Sequence, residues 1–425
     1  MSLVQKLENF GKKISRFWKY PFFKIAILVQ IGYIFVSIIL FLTIFYSQND
    51  FIVFYNAGKR FLFDIDNLYL KENNVFFFRY FPLSAIFYIP FSLLDFNIGF
   101  FSFMIFNLMM NIGVCYFMYK IIELIKNKEK IPEENVARYF ALFLGASPQI
   151  NNYILGQNNL IVIFLILWAV YLFIKRSTLA WDFFASILIG ISIAIKPITL
   201  MAVPFLVVLN YSVKERKFNL NIKKSVIRLI GISLFLFPNI IFFVVNQKLW
   251  EGFLSNNFAG TNIIELRHSF SITKLIINML VFFNLPVNQT LILLVLLSFF
   301  GSIALMIVLL SNHKKKTLIY GLTLGIIIML LVYFDSWDHY LLIIIPLLII
   351  LIFDLPENSE IRNKFIKPGL IYYVFLDLFF MGIWYVIKPW FPYNFLATIF
   401  LCLNFYGISK YLLKNTISNE IPIGK

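Results

Sequence analysis

Apolar stretches of about 20 residues, each long enough to cross a bilayer core of roughly 30 Å, recur along the whole chain between short polar segments. They predict helical spans near 22–46, 98–125, 138–154, 158–174, 182–196, 197–213, 225–247, 286–310, 317–334, 339–353, 369–388 and 394–413. The spans are apolar all round, as membrane helices must be when each satisfies its own backbone polar groups. Lys196-Pro197 separates two short runs, which read either as a tight hairpin or as one broken helix. The first 24 residues are basic and polar rather than an apolar signal core, so the first run reads as a retained span. The expected fold is an all-α polytopic membrane protein, one transmembrane domain over 1–425 with about 12 helices.

Two segments between spans are too long to be simple turns, and long loops kept in a compact protein are usually functional. The first, 47–97, ends in a short apolar piece, Pro82 to Leu94, that suits an interfacial helix lying on the membrane. The second, 247–286, joins a polar stretch to an amphipathic piece, Ile272 to Phe283.

Composition strengthens this picture. Hydrophobic residues make up 60% of the chain and charged residues 14%, against roughly 25% charged in a soluble domain. The net charge of +16 invites a nucleic-acid reading, but the basic residues sit in clusters between spans. With the N-terminus inside, 28 of the 37 Lys and Arg fall on cytoplasmic segments and 9 on outer ones. That bias follows the positive-inside rule and places both termini in the cytoplasm. No nucleic-acid partner is expected. Cys115 and Cys402 both lie in apolar runs and read as buried small residues, not as a disulfide framework or a metal site.

The candidate chemistry gathers on the outer segments. Asp50 directly follows the first span, where a carboxylate is held at the interface and can accept a proton from a hydroxyl. It could equally cap the helix that follows. Arg79, in Phe78-Arg79-Tyr80-Phe81-Pro82, carries a guanidinium suited to a phosphate head group. The amides of Ser147–Asn152 and of Gly156-Gln157-Asn158-Asn159 form either a capped turn or a polar site. Lys196 either snorkels or neutralises a phosphate. His339, beside Asp335 and Asp338, can relay a proton or hydrogen-bond a phosphate, or it simply ends a helix. His313 reads as a cytoplasmic loop residue. Asp377 lies mid-span, where an ionisable group is a functional hypothesis by default, and it is the feature that most favours a transporter.

The chain carries, in this order, Asp50-Phe51…Tyr55…Ala57-Gly58…Leu68-Tyr69…Phe78-Arg79-Tyr80…Pro82, Gly156-Gln157-Asn158, Gly190…Lys196-Pro197, His268-Ser269-Phe270-Ser271 and Ser336-Trp337-Asp338-His339. In order and spacing these motifs resemble glycosyltransferase family 87, polyprenol-phosphate-mannose-dependent mannosyltransferases of the GT-C fold class. The resemblance spans about 47–346. It departs from the family at Arg267-His268-Ser269, where an Asn-Gln-Ser-like sequence is usual, and at Tyr340, where a second histidine often stands.

The resemblance implies a GT-C-type bundle and an inverting membrane glycosyltransferase, acting on the non-cytoplasmic face of the cell membrane. The donor would be a polyprenyl-phosphate sugar, mannose, and the acceptor lipid- or glycan-linked, with the membrane lipid as surroundings. Asp50 and His339 would be catalytic, and Arg79, Lys196 and Arg267 would bind the donor phosphate. Tyr55, Tyr80, Gln157, Asn158, His268 and Trp337 would line the substrate. No metal or other cofactor is expected, because no nucleotide diphosphate has to be bridged and the outer loops read as lacking an acidic pair of the Asp-x-Asp kind. A single well-placed carboxylate also favours transfer over hydrolysis, which normally needs a pair. The alternative is a transporter or flippase for a lipid-linked or amphipathic solute.

Overall fold

Proline and glycine decide where the apolar runs become separate helices. The computed structural model describes residues 11, 14–46, 49–70, 77–126, 131–176, 178–212, 217–258, 269–310, 315–376 and 396–420. In chain order the helices are α1 (Pro21–Thr43), α2 (Asp50–Phe63), α3 (Phe96–Ile125), α4 (Glu133–Leu144), α5 (Pro148–Ile154), α6 (Asn159–Lys175) and α7 (Leu179–Ile195). They continue with α8 (Ile222–Val245), α9 (Gln247–Phe258), α10 (Ile272–Phe282), α11 (Gln289–Leu310), α12 (Lys315–Val332), α13 (Leu341–Asp354) and α14 (Leu396–Glu420). Shorter helical runs cover Pro82–Ser92, Pro197–Leu206 and 361–376.

The chain is an all-α polytopic membrane protein. Among the described residues five helices are long and apolar enough to cross a bilayer, and a sixth if the bent pair α5–α6 counts as one span. The expected span 138–154 is not one helix. The first helix ends at Leu144 with Gly145 as its cap, Pro148 opens α5 at the first helical position, where its fixed φ is tolerated, and α5 then meets α6 at a 118° bend. The expected span 197–213 is not an α-helix either. Pro197 and an internal Pro204 leave a 3₁₀ run, Pro197–Leu206, because proline removes the donor that an α-helix needs. The chain then turns through the antiparallel strands β1 (Leu209–Ser212) and β2 (Lys217–Leu220), with Leu209 opposite Leu220. The span expected at 369–388 is described as helix to residue 376; Asp377 lies outside the described residues.

Burial separates helices that look alike in sequence. Every residue of α13 from Leu341 to Phe353 is buried, as is most of α6. On α11, by contrast, Leu291, Val295 and Phe299 point outward four residues apart. Contiguous exposed apolar surface of this kind marks a lipid-facing side. The α7–α8 pair packs backbone against backbone. A Cβ on Gly190 would meet the Ile232 carbonyl at 2.7 Å, and one on Gly231 would meet the Phe183 carbonyl at 2.7 Å. Asp182 on α7 and Arg228 on α8 pin the same pair at its far end, with Arg228 Nε and Nη2 donating to Asp182 Oδ1 at 2.9 and 2.7 Å. Cys115 is buried, Cys402 is half-buried, and both are free.

Candidate functional site

The site forms where α1 hands over to α2. Asn49 makes this junction: its side-chain amide donates to the Phe45 and Tyr46 carbonyls at 2.7 and 3.0 Å, and its Oδ1 accepts from the Ile52 amide at 2.9 Å. Asn49 is thus the helix cap, a role Asn fills well, and the capping role open to Asp50 falls to its neighbour. Asp50 occupies the first turn of α2 with its carboxylate directed elsewhere.

It is directed at the α5–α6 corner. Gly156 adopts φ +62° there, a left-handed conformation that costs other residues roughly 1–2 kcal/mol. Any Cβ on it would lie 2.6 Å from the Phe51 Cβ. The Phe51 amide donates to the Leu155 carbonyl at 3.0 Å, so the start of α2 rests on this bend. Gln157, next along, donates its Nε2 to Asp50.

The other end of the Gln157 side chain meets Lys196. Lys196 Nζ donates to Gln157 Oε1 at 3.2 Å and to Asn159 Oδ1 at 2.7 Å, and it stands 3.9 Å from the centre of the Tyr340 ring. Asn159 in turn donates to Asn152 Oδ1 at 3.1 Å. Lys196 is 2% exposed, yet its charge is met by two amide oxygens and a ring face, a desolvated cation–π contact of the stronger kind. The extended backbone at Lys196, forced by Pro197, ends α7 and turns the side chain inward.

The 333–340 segment closes the opposite wall. Arg79 donates to Asp335, and Asn151 donates to Asp338. His339 is buried, with its Nδ1 3.5 Å from Asp338 Oδ1, long for a hydrogen bond. Neither ring nitrogen has a hydrogen-bond partner among the described residues. The segment is held in place from α10's side: the Phe270 amide donates to the Ser336 carbonyl at 2.9 Å, and Ser269 Oγ accepts from the Ser336 amide at 3.2 Å. Two motifs about 67 residues apart in sequence therefore meet as neighbours.

Electrostatics bind these walls into one site. Burial pushes the Asp50 carboxyl above its ordinary value of 3.8, against the opposing pull of His339, Lys196, the Gln157 amide and Arg79. At Arg79 burial works against the charge, but Tyr333 and Asp335 more than offset it and hold the guanidinium above its usual value.

Of the residues expected in the site, Asp50, Arg79, Lys196, His339, Gln157 and Tyr80 come together. Tyr80 shares the fields of Tyr340, Tyr88 and Asp50. Asn158 lies behind them, donating to the Tyr88 hydroxyl at 2.7 Å and to the Ile195 carbonyl at 3.3 Å. Trp337 is half-buried at the start of the 338–340 turn. Tyr55 turns away, its hydroxyl donating to the Leu94 carbonyl at 2.6 Å. Arg267 and His268 lie outside the described residues. Asn151 and Asn159, expected as part of a capped turn or a polar site, and Asp335 and Asp338, expected only as neighbours of His339, also reach the site, and Tyr340 joins them unforeseen. Asp50 is accordingly not the sole carboxylate, although Asp335 and Asp338 are each engaged by a donor. Tyr340 supplies the ring face for Lys196.

An Asp-x-Asp pair, Asp64 and Asp66, stands in the first long loop and bears on the expectation that no metal is needed. Its carboxylates are taken up by structure: Asp64 accepts from Asn67 at 2.7 Å, and Asp66 accepts from Asn246 at 2.6 Å and pairs with Lys248 at 3.5 Å. No group of three or more His, Cys, Asp or Glu among the described residues could hold a metal ion.

No curated protein matches the sequence. A family model described as glycosyltransferase family 87 matches residues 77–333. That segment contains Arg79, Gln157, Asn158, Lys196, Arg267 and His268, while Asp50 and His339 join the site through the fold alone. Because the match covers more than half of the 425 residues, the chain belongs to glycosyltransferase family 87.

Proposed function

We propose that the protein transfers mannose from a polyprenyl-phosphate donor to a lipid- or glycan-linked acceptor, with inversion, on the non-cytoplasmic face of the membrane. The observation that carries this reading is the Asp50–Gln157–Lys196 bridge, which sets a carboxylate and a buried cation on two ends of one amide. In the proposed step the Asp50 carboxylate takes the proton of the acceptor hydroxyl. That oxygen forms a bond to the anomeric carbon while the bond from this carbon to the phosphate oxygen breaks on the opposite face. The leaving polyprenyl phosphate departs as an anion, which calls for cations rather than for a second acid.

Lys196 supplies one such cation, and Arg79 a second when the phosphate competes with Asp335 for it. Among the described residues the buried His339 ring has no hydrogen-bond partner at Nε2 and only Asp338, at 3.5 Å, near Nδ1; buried polar groups are usually bonded, and a donor phosphate or sugar hydroxyl would suit this ring. Arg267 and His268 would act from the 259–268 segment. The reading includes a GT-C-type bundle of about 12 spans with both termini cytoplasmic, and with 47–97 and 247–286 as outer loops. The basic clusters support this orientation: Lys175, the Lys217–Arg228 group and Arg362–Lys367 lie at helix ends remote from Lys196 and His339. The transporter alternative leaned on Asp377, and no described contact favours it.

The test is transfer from radiolabelled polyprenyl-phosphate mannose in reconstituted membranes. Asp50→Asn should lower turnover at least about 100-fold, the usual contribution of a positioned base, with an unchanged melting profile. Full activity in that variant would remove Asp50 as the base. Activity only with another polyprenyl-phosphate sugar would keep the mechanism and replace the donor.

A further inference from the structure

A second site lies at the other end of the bundle. α13 starts at the His339–Tyr340 turn and runs about 20 Å to Phe353, whose ring meets Tyr139 of α4 at 5.3 Å. Beside Tyr139, between α4 and the helical run 361–376, is a cavity of about 580 Å³. Each of the two helices offers it a cation followed by apolar residues at four-residue spacing. On α4 these are Arg138 and then Leu142; on the run they are Lys367, then Ile371 and Phe375. Residues four apart share one helix face, and both helices run away from the basic end. Their far ends are tied by the Ser147 amide donating to the Val374 carbonyl at 2.8 Å. The groove therefore has positive charge at its mouth and an apolar floor.

Arg362 adds a third cation. Its side chain is 12% exposed while Glu357, 3.9 Å away, is 78% exposed. Its Nε is buried without a hydrogen-bond partner among the described residues. Glu357 is the one carboxylate lining the cavity against Arg138, Arg362 and Lys367; Glu134 pairs with Arg138 at 2.9 Å. On the floor, Ile371 and Phe375 are exposed, so a small soluble anion at the mouth would leave apolar surface uncovered.

We propose that this groove binds an anionic phospholipid, its phosphate held by Arg138, Arg362 and Lys367 and one acyl chain lying along Leu142, Ile371 and Phe375. Basic pockets between membrane helices recognise such head groups. A zwitterionic head group would bring another positive charge toward three that are already there. The proposal rests on membrane residence and on this groove, and it is independent of the transfer reaction.

The test is native mass spectrometry of the full chain in detergent, titrated with phosphatidylglycerol or phosphatidylcholine. Wild type should prefer phosphatidylglycerol, and Arg138→Gln/Lys367→Gln should weaken its binding by about 5- to 30-fold, near 1 kcal/mol per cation, with phosphatidylcholine unaffected. If the double variant does not fold, Lys367→Gln alone is read in the same way, with an expected loss of about 5-fold. Equal wild-type affinity for the two lipids, unchanged binding in the folded variant, or displacement of the lipid by millimolar inorganic phosphate would each overturn the proposal.

Discussion

Gln157 holds the two charges of the site apart and in register. It donates to Asp50 and accepts from Lys196, so neither charge collapses onto the other before substrate arrives. This arrangement has a consequence in pH. Burial raises the Asp50 carboxyl, and Lys196 is among the groups that lower it. A base works only when deprotonated, so transfer should be lost as pH falls through the Asp50 value, with the acid limb of kcat/KM above the ordinary carboxylate value of 3.8. Lys196→Met removes one lowering charge, so the limb should move to higher pH, besides any rise in donor KM. A limb that stays put or moves to lower pH in that variant would mean that Asp50 is not the group being titrated. The residue types needed for this chemistry were readable in sequence. Their pairing was not: Asp50 at a helix start suits a cap as well as a base, and the structure gives the cap to Asn49.

At the scale of elements, the site depends on bends more than on helices. Gly156 turns α5 into α6 with a left-handed backbone and lets Phe51 approach to where a Cβ would otherwise sit. Gly156→Ala must both strain the bend and push α2 outward. A cost of about 1–3 kcal/mol in stability is expected, measured by thermal unfolding. Turnover should fall by roughly 10- to 100-fold, because displacing a catalytic group by about 1 Å can cost that much. Activity at the wild-type level with lowered stability would show that the Asp50–Gln157 geometry tolerates the shift. The sequence marks the breaks at Gly156, between two expected spans, and at Pro197, but not those at Gly145 and Pro148, inside the span expected over 138–154. It misjudged their extent at 138–154 and 197–213, where apolar composition suggested continuous spans and the local backbone chemistry of proline prevailed.

At the scale of the molecule, charged contacts lie at both ends of the bundle and the apolar middle is helix on helix. The Asp182–Arg228 pair, 1% and 9% exposed in their side chains with Lys224 also 3.4 Å from the carboxylate, clamps α7 to α8 at the end remote from Lys196. Removing one partner of a buried pair strands the other and costs about 3–5 kcal/mol. Asp182→Asn should therefore lower the melting temperature strongly and leave the KM of the folded fraction unchanged, and Asp182→Asn/Arg228→Met should recover most of the loss. A large KM change in the single variant would show that the clamp reaches the site.

Local hydropathy and charge by themselves determined that the chain lives in a membrane, roughly where its long apolar helices lie, and which residue types stand between them, because hydrophobic matching to a bilayer acts on each stretch of about 20 residues separately. Tertiary structure decided what those residues do. All the spans are apolar on every side, so nothing in the pattern distinguishes the buried α13 from the lipid-facing α11. Arg79 reads in sequence as a free phosphate ligand, yet its partner Asp335 lies 256 positions away. Asp50, Lys196 and His339 become one site only because a left-handed glycine and a proline break fold distant segments onto each other. Packing and ion pairing act through space, between segments that no local pattern relates.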